Sequence, residues 1–125
     1  MPWSDSHRTG HAEIDRQHRV LFAMIEDLLR PGEWERRNAA VLELVSYVVQ
    51  HFAYEESLMQ AHPVADAAEH RREHASLTTT ATALRDAHAC GDVDEALLQR
   101  FLREWLRHHI DARDRTLAAA IAANQ

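Results

Sequence analysis

Apolar side chains recur along this chain at steps of three and four residues, which is the period of an α-helix that buries one face. The first such run predicts a helix over residues 11–30, which Pro31 and Gly32 end. Its predicted buried face carries Ile14, His18, Leu21, Ile25 and Leu28 or Leu29. Residues 1–10 include Ser4, Asp5 and Gly10, show no such period, and are predicted to form an arm.

Three further runs follow the same period. They predict helices over residues 34–60, 64–88 and 93–122, with breaks at Pro63 and at Gly91. The predicted buried faces are Val41, Leu44, Val48, His51, Glu55 and Leu58 in the second helix, Ala67, His70, His74, Leu77, Ala81 and Leu84 in the third, and Leu98, Leu102, Trp105, His109, Ala112 and Thr116 in the fourth, with Phe101, Leu106 and Ile110 beside the last of these faces.

The predicted connections are short, and helices joined by short connections pack side by side in opposite directions. The chain has 125 residues, of which 46% are hydrophobic, as is ordinary for one globular domain with one core. The sequence therefore predicts an all-α fold. We expect an antiparallel up-down-up-down four-helix bundle with a short N-terminal arm, in a single domain of residues 1–125.

Charge and composition exclude several classes of partner. The formal net charge is −6 and no basic face stands out, which argues against a nucleic-acid partner. No apolar run approaches the length of a membrane span, so membrane insertion is not expected. Cys90 is the one cysteine, so an internal disulfide is excluded. Together with the absence of a signal pattern after Met1, these features favour a cytoplasmic protein.

Histidines and carboxylates lie on the apolar faces of all four predicted helices. His51 and Glu55 are four residues apart, so they project from one side of the second helix, and two histidines of the third helix repeat that spacing. A carboxylate on a buried face is costly unless it is paired or binds a metal. The candidate metal ligands are His18, His51, Glu55, His70, His74, His109 and Asp114.

Imidazole and carboxylate ligands together suit iron, zinc or copper. Five histidines and two carboxylates are too many for one four-coordinate structural zinc, and they fit two metals that share bridging carboxylates. The third helix supports this prediction, because its first turns carry little apolar surface besides Ala67 and metal bonds would stabilise it. The Glu-x-x-His motif of ferritin-like di-iron proteins does not occur, which disfavours that family.

The spacing resembles that of the hemerythrin family over nearly the whole chain. The resemblance rests on Ile14-Asp15-x-Gln17-His18, on His51-Phe52-x-x-Glu55-Glu56 with Met59, on His70-x-x-x-His74, and on Trp105-Leu106-x-x-His109-Ile110-x-x-x-Asp114. All seven ligand positions of the family are present in order. Each motif alone is weak, and the complete set is specific.

This resemblance implies two iron ions in an oxo- or hydroxo-bridged di-iron centre that binds dioxygen. It implies that His70, His74 and His109 hold one iron, that His18 and His51 hold the other, and that Glu55 and Asp114 bridge the two. It also implies an oxygen pocket formed by Leu21, Phe52, Trp105, Leu106 and Ile110.

Two positions in the fourth helix need explanation. His109 and Asp114 are five residues apart, which takes them out of line on a regular α-helix, and a local π-type widening would align them. His108 is the rival ligand to His109, although Arg103 and Arg107 indicate a more polar face on its side.

The remaining histidines and the outer hydrogen-bond partners are less determined by the sequence. His7, His11, His62 and His88 are predicted not to be ligands, the first two because they lie in solvent at the arm and helix start. A histidine ligand usually donates its other ring nitrogen to an acceptor. The candidate acceptors are Asp15, Gln17, Glu56 and Glu73, between which the sequence does not choose.

Three functions compete at this point. A ligand set rich in neutral histidine suits reversible dioxygen binding for carriage, storage, delivery or sensing, and we expect this rather than an enzyme. The alternatives are a di-iron enzyme with peroxidase-like, iron-oxidising or nitric-oxide-handling activity, and a metal- or oxygen-sensing module. A protein partner is not identified by the sequence.

Overall fold

The computed structural model describes residues 3–124, so residues 1, 2 and 125 of the predicted domain lie outside the described residues. Its helices are α1 (Ala12–Leu29), α2 (Trp34–Ala61), α3 (Ala67–Ala89) and a continuous fourth helix, α4, over residues 95–123. A short 3₁₀ turn at Asp5–His7 precedes them, and residues 3–124 contain no strand. The predicted all-α, antiparallel up-down-up-down four-helix bundle is confirmed.

Local chemistry fixes the helix ends. The His11 side chain accepts a hydrogen bond from the backbone N–H of Ile14, and Asp94 accepts one from Leu97, so both residues cap free N–H groups. The prediction for the third helix began at residue 64, whereas α3 begins at Ala67 because a turn follows Pro63. After α3 the chain turns at Gly91, whose φ of +75° favours glycine.

A layer of buried polar side chains separates two apolar clusters in the bundle. The larger cluster includes Leu21, Phe52, Leu84 and Leu106, and the smaller one consists of Ile14, Met59, Leu117 and Ile121. The seven predicted ligand side chains lie near the boundary between the two clusters along each helix and are themselves buried. Among residues 3–124, no helix combines the length and apolar character needed to cross a lipid bilayer.

α4 changes its winding twice along its length. Regular α-helix at Glu95–Arg100, Leu106–His109 and Arg115–Ala123 alternates with wider π-helical segments at Phe101–Trp105 and Ile110–Asp114. A π turn closes on the fifth residue rather than the fourth, so each segment shifts the inward face by one position. The predicted widening between His109 and Asp114 is present.

The same shift makes part of the predicted buried face of the fourth helix wrong. Trp105 is 40% exposed, and Ala112 and Thr116 are also exposed. Leu106 and Ile110, predicted to lie beside that face, occupy the interior together with Leu117, and each of the three is fully buried. A face drawn with the regular α-helical period fails here because two widened turns interrupt that period.

The N-terminal arm is tied to α1 and α4. His7 makes a hydrogen bond of 2.8 Å between Nδ1 and Asp111 Oδ1 and its side chain is 14% exposed, so the prediction that it is solvated is wrong. Arg115 donates to the Ser6 carbonyl at 2.7 Å. Asp15 accepts hydrogen bonds from the backbone N–H and the hydroxyl of Thr9, which anchors the end of the arm on α1.

We predict that Leu84→Ala lowers the free energy of unfolding by about 2–5 kcal/mol, because it leaves a cavity in the larger apolar cluster. The matched control is Leu42→Ala, since Leu42 is 48% exposed on α2 and its loss leaves no cavity. Urea unfolding of both variants and the parent measures the difference. Equal losses in the two variants would contradict this packing.

Candidate metal centre

The structure brings all seven predicted ligand side chains into one buried layer. α1 contributes one of them, and α2, α3 and α4 contribute two each. Each is between 0% and 2% exposed. The seven are His18, His51, Glu55, His70, His74, His109 and Asp114.

In three of the four helices, the spacing of the two candidate ligands along the chain explains why both point into the same layer. His51 and Glu55 in α2, like His70 and His74 in α3, are four residues apart and point to one side of a regular helix. His109 and Asp114 are five residues apart, and the π segment Ile110–Asp114 brings that spacing onto one side of α4. The widened turn therefore has an identifiable consequence, which is the entry of the Asp114 carboxylate into the layer.

The two carboxylates divide the imidazoles into two groups. Glu55 Oε1 lies 3.0 Å from His74 Nε2 and 3.5 Å from His70 Nε2. Asp114 Oδ1 lies 3.2 Å from the Nε2 atoms of both His70 and His109. One oxygen of each carboxylate thus faces a group of three imidazoles.

The other oxygen of each carboxylate faces the second group. Asp114 Oδ2 lies 2.7 Å from His18 Nε2 and 3.3 Å from His51 Nε2. Glu55 Oε2 lies 3.2 Å from His51 Nε2. Within each group, the prospective ligand atoms all lie within 4.8 Å of one another. Both carboxylates span the two groups, as bridging ligands between two ions would.

Outer hydrogen bonds orient three of the imidazoles. His51 Nδ1 lies 2.7 Å from Gln17 Oε1, His74 Nδ1 lies 3.1 Å from Glu56 Oε2, and His109 Nδ1 lies 2.7 Å from Glu73 Oε1. Because each partner atom is an acceptor, each Nδ1 donates a proton, and a neutral ring then points the lone pair of Nε2 into the layer. The fourth candidate acceptor, Asp15, instead binds the arm at Thr9.

Three polar atoms at the centre of the layer lack a hydrogen-bond partner. His70 Nε2, Glu55 Oε2 and Asp114 Oδ1 are buried and make no hydrogen bond among residues 3–124. His74 Nε2 and His109 Nε2 lie 3.1 Å apart, although both Nδ1 protons already point outward. Lone pairs facing one another and facing carboxylate oxygens repel unless positive charge lies between them. The donor set therefore fits metal ions, and nitrogen with oxygen donors suits iron among others.

The carboxylates stay ionised despite their burial. Burial and the charge of Asp114 oppose ionisation of Glu55, but the surrounding imidazoles outweigh both and lower the pKa of Glu55 below its usual range. The pKa of Asp114 is likewise well below its usual range, because the imidazoles, His109 foremost, outweigh burial. Two buried negative charges thus create a strong local preference for cations.

The same charges act on the imidazoles in the metal-free protein. Burial favours the neutral ring, but the two carboxylates prevail and raise the pKa of His51 to about 9, of His70 to about 8 and of His109 to about 10. Protons therefore compensate the carboxylates when metal does not. Metal must displace these protons, since an imidazole binds metal through an unprotonated nitrogen.

Four of the five predicted pocket residues lie in the interior beside this layer. Leu21, Leu106 and Ile110 are fully buried, in the same apolar cluster as Phe52. The Phe52 ring stacks on His74 with 4.0 Å between ring centroids, and its edge contact with His109 has centroids 5.3 Å apart.

Trp105 is the exception among the predicted pocket residues. It is 40% exposed and makes an edge contact with Phe101, with ring centroids 6.2 Å apart. Its indole lines an open groove between α3 and α4 with Glu73 and His108, not the buried layer.

Sequence analysis did not identify Arg113. Its guanidinium lies on the α3 side of α4, where it donates to Glu73 and to Asp66. A sequence signal existed on each side of this contact. Asp66, Glu69 and Glu73 recur at steps of three and four on one face of α3, and Arg113 follows His109 by four residues.

Of the other histidines, His88 is also buried, but its contacts are with residues outside this layer. Its Nδ1 lies 2.9 Å from Asn38 Oδ1, and the Trp34 indole N–H donates to its carbonyl at 2.9 Å. His11 caps α1 and His7 contacts Asp111. His108 is exposed, whereas its neighbour His109 is fully buried.

Comparison with known proteins gives one consistent result. The family model for the hemerythrin HHE cation binding domain matches residues 9–121. The chain is 33% identical over 113 residues to a hemerythrin-like protein of Naegleria gruberi, covering 90% of this chain and 86% of that protein. It is 31% identical over 128 residues to a bacteriohemerythrin of Methylococcus capsulatus, covering 98% of each.

Solved structures agree with these sequence relatives. A crystal structure of wild-type hemerythrin superposes with a TM-score of 0.87 at 29% sequence identity, over 98% of each chain. The family match covers the first three helices, all but the last two residues of α4, and every one of the seven converging side chains. The chain belongs to the hemerythrin family.

Proposed function

We propose that this protein holds two iron ions in the buried layer and binds dioxygen reversibly there, for carriage, storage, delivery or sensing. His70, His74 and His109 would hold one ion, and His18 and His51 the other. Glu55 and Asp114 would bridge them. The observation that carries the proposal is that each carboxylate presents one oxygen to each group of imidazoles.

The two groups are unequal in a way that suits a ligand-binding site. Three imidazole nitrogens and two carboxylate oxygens form the first group, whereas only two nitrogens and two oxygens form the second. The ion on the side of His18 and His51 therefore has one fewer protein donor. That shortfall would leave a coordination position for an exogenous ligand next to α1.

Iron held there would supply the electrons needed to bind dioxygen, and the side chains around it supply a dry, oriented surrounding. Leu21, Leu106 and Ile110 are fully buried and carry no proton donor on their side chains. They exclude water and would limit side reactions at the site. A pocket wall without acid or base groups favours binding over turnover of a substrate, so we propose a binding protein rather than an enzyme.

Gln17, Glu56 and Glu73 hold the imidazoles in place through Nδ1 and select the tautomer that points Nε2 inward. The imidazole rings are therefore oriented before metal binds, because these hydrogen bonds are already formed in the protein without metal. Two relatives of the chain are named bacteriohemerythrin and hemerythrin-like protein, and the family model is described as cation binding. These names and that description support the proposed function. We also propose that residues 1–125 form one domain.

The deciding experiment is anaerobic reduction of the iron-loaded protein followed by cycles of air and vacuum, observed by visible absorption. We expect about two irons per chain and a colour that appears with air and disappears with vacuum over repeated cycles. A zinc-loaded sample is the control and should remain colourless. Irreversible oxidation in the first cycle, with no return on removal of oxygen, would contradict reversible binding.

The ligand in α4 is tested by a pair of adjacent substitutions. We predict that His109→Ala loses iron and colour, because His109 Nε2 lies 3.2 Å from Asp114 Oδ1 in the buried layer. His108→Ala should keep both, because that side chain is exposed. Elemental analysis and absorption spectra of the two variants give the answer. Iron loss in the His108 variant alone would reverse the assignment.

The pocket wall is tested by placing a hydroxyl in it. We predict that Ile110→Thr keeps the iron content and speeds conversion of the oxygenated protein to the ferric form, since a polar wall admits water. Ile121→Thr makes the same change in the smaller apolar cluster, seven residues beyond Asp114, and should leave that rate unchanged. The rate is followed by absorption in air. Parent-like conversion in a fully loaded Ile110 variant would show that Ile110 does not wall the pocket.

A further inference from the structure

Arg113 joins α4 to α3 at the edge of the buried layer. It lies in the π segment Ile110–Asp114, directly before Asp114. Its Nε donates to Glu73 Oε2 at 2.9 Å, and its Nη1 donates to Asp66 Oδ2 at 3.1 Å. Its Nη2 lies 3.6 Å from Glu69 Oε2, so a single guanidinium spans three carboxylates, one directly before α3 and two within it.

Glu73 connects this guanidinium to the proposed iron site. One of its oxygens, Oε2, accepts from Arg113, while the other, Oε1, accepts from His109 Nδ1 at 2.7 Å. A continuous chain of hydrogen bonds therefore runs from Arg113 through Glu73 to the imidazole of His109. His109 is fully buried, whereas the side chains of Arg113 and Glu73 are about one-third exposed at 32% and 30%.

His74 offers an internal comparison within the same group of imidazoles. Its Nδ1 lies 3.1 Å from Glu56 Oε2, a longer contact than that of His109 with Glu73. Among residues 3–124, no arginine lies within ion-pair distance of Glu56, whose side chain is 39% exposed. The two carboxylate–imidazole pairs thus differ in the cation that accompanies only one of them.

That cation changes what the carboxylate does to the imidazole. A carboxylate that accepts from Nδ1 draws the proton toward itself and makes Nε2 a stronger electron donor to a metal. An arginine bound to the same carboxylate withdraws negative charge from it and so weakens that effect. A stronger imidazole donor stabilises ferric iron over ferrous iron, because the higher charge gains more from it.

We propose that Arg113 is a positioning residue that limits the donor strength of His109 through Glu73, and so keeps the iron in the ferrous state that binds oxygen. The inference rests on the proposed function and assigns a regulatory role to a residue outside the ligand set. A purely structural role is a weak rival, because partly exposed ion pairs contribute little to stability. The guanidinium donates directly to Glu73 Oε2 at 2.9 Å, and its contacts with Asp66 and Glu69 hold it in that position.

Opposite charge changes at the two ends of the Arg113–Glu73 contact test this inference. Arg113→Gln removes the cation and should lower the midpoint reduction potential and speed conversion of the oxygenated protein to the ferric form. Glu73→Gln keeps an acceptor for His109 but removes the negative charge, so it should raise the potential and slow the conversion. We expect a change of roughly threefold or more in each rate, since loss of outer hydrogen-bond partners alters metal sites by about 10–100-fold. If Arg113 merely held the helices together, both variants would shift in the same direction, and that outcome would overturn the proposal.

The double variant shows whether Arg113 changes the reduction potential through its hydrogen bond to Glu73 or directly through its own electric field. If Arg113 acts through Glu73, adding Arg113→Gln to Glu73→Gln should produce no further change in potential. A full effect of Arg113→Gln in the Glu73→Gln background would overturn the proposed route. Arg113→Lys, which retains the charge, should restore most of the parent potential.

Matched controls come from an ion pair at the far end of the bundle. Arg37 donates to Glu95, and neither residue contacts a histidine of the buried layer. Arg37→Gln and Glu95→Gln should leave the potential unchanged. Thermal unfolding of each metal-free variant records any loss of stability separately from the potential.

A second readout does not depend on iron. In the zinc-loaded protein, the Nδ1 proton of His109 should move downfield in the NMR spectrum of Arg113→Gln, because the hydrogen bond to Glu73 strengthens. An unmoved proton together with an unchanged potential would overturn the inference. If the parent itself fails to bind two irons or to release oxygen reversibly, the proposed function fails instead, so the two failures are distinguishable.

Discussion

Two ionised carboxylates in the interior are the constraint on which this structure depends. Glu55 and Asp114 are fully buried and remain charged, which is affordable only if positive charge lies beside them. Five imidazoles from four helices surround them. Without metal, the raised pKa values of His51, His70 and His109 favour protonated rings there, and in the proposed iron site neutral imidazoles would be the ligands. The bundle is consequently divided into two apolar clusters by a polar layer, and each helix contributes at least one side chain to that layer. Packing and charge compensation therefore hold the same four helices together.

α4 shows how the constraint overrides local preference. A regular α-helix would carry the carboxylate of Asp114 away from the side of His109, and the π segment Ile110–Asp114 removes that conflict. A second π segment one turn earlier, at Phe101–Trp105, rotates Trp105 out to solvent and brings Leu106 into the interior. The widened turns forgo regular hydrogen bonding, so they indicate that placement of buried side chains outweighs ideal helix geometry at this point.

Much of the fold and of the candidate site was predictable because the relevant signals are local. Pairs such as His51 and Glu55 follow from helical spacing, and the breaks at Pro63 and Gly91 follow from backbone chemistry. The predictions failed where the period itself changes, as at Trp105, or where the partner comes from another element. His7 was expected in solvent because nothing near it in sequence reveals Asp111, which lies 104 residues away. Likewise, spacing could not show that Glu73 accepts from His109 while Asp15 accepts from Thr9 in the arm.

The outer contacts suggest a division of roles between the two groups of imidazoles. In the group of three, His74 and His109 are backed by carboxylates, which strengthen imidazole donors and favour retention of metal, and the Nδ1 atom of His70 has no hydrogen-bond partner among the described residues. In the group of two, His51 is backed by the neutral amide of Gln17, and the Nδ1 atom of His18 has no hydrogen-bond partner among the described residues. Weaker donors and fewer of them leave the proposed ion on that side more dependent on an exogenous ligand. The outer hydrogen bonds and the number of donors thus differ between the two groups in the same direction, and both differences support the proposal that an exogenous ligand binds on the side of His18 and His51.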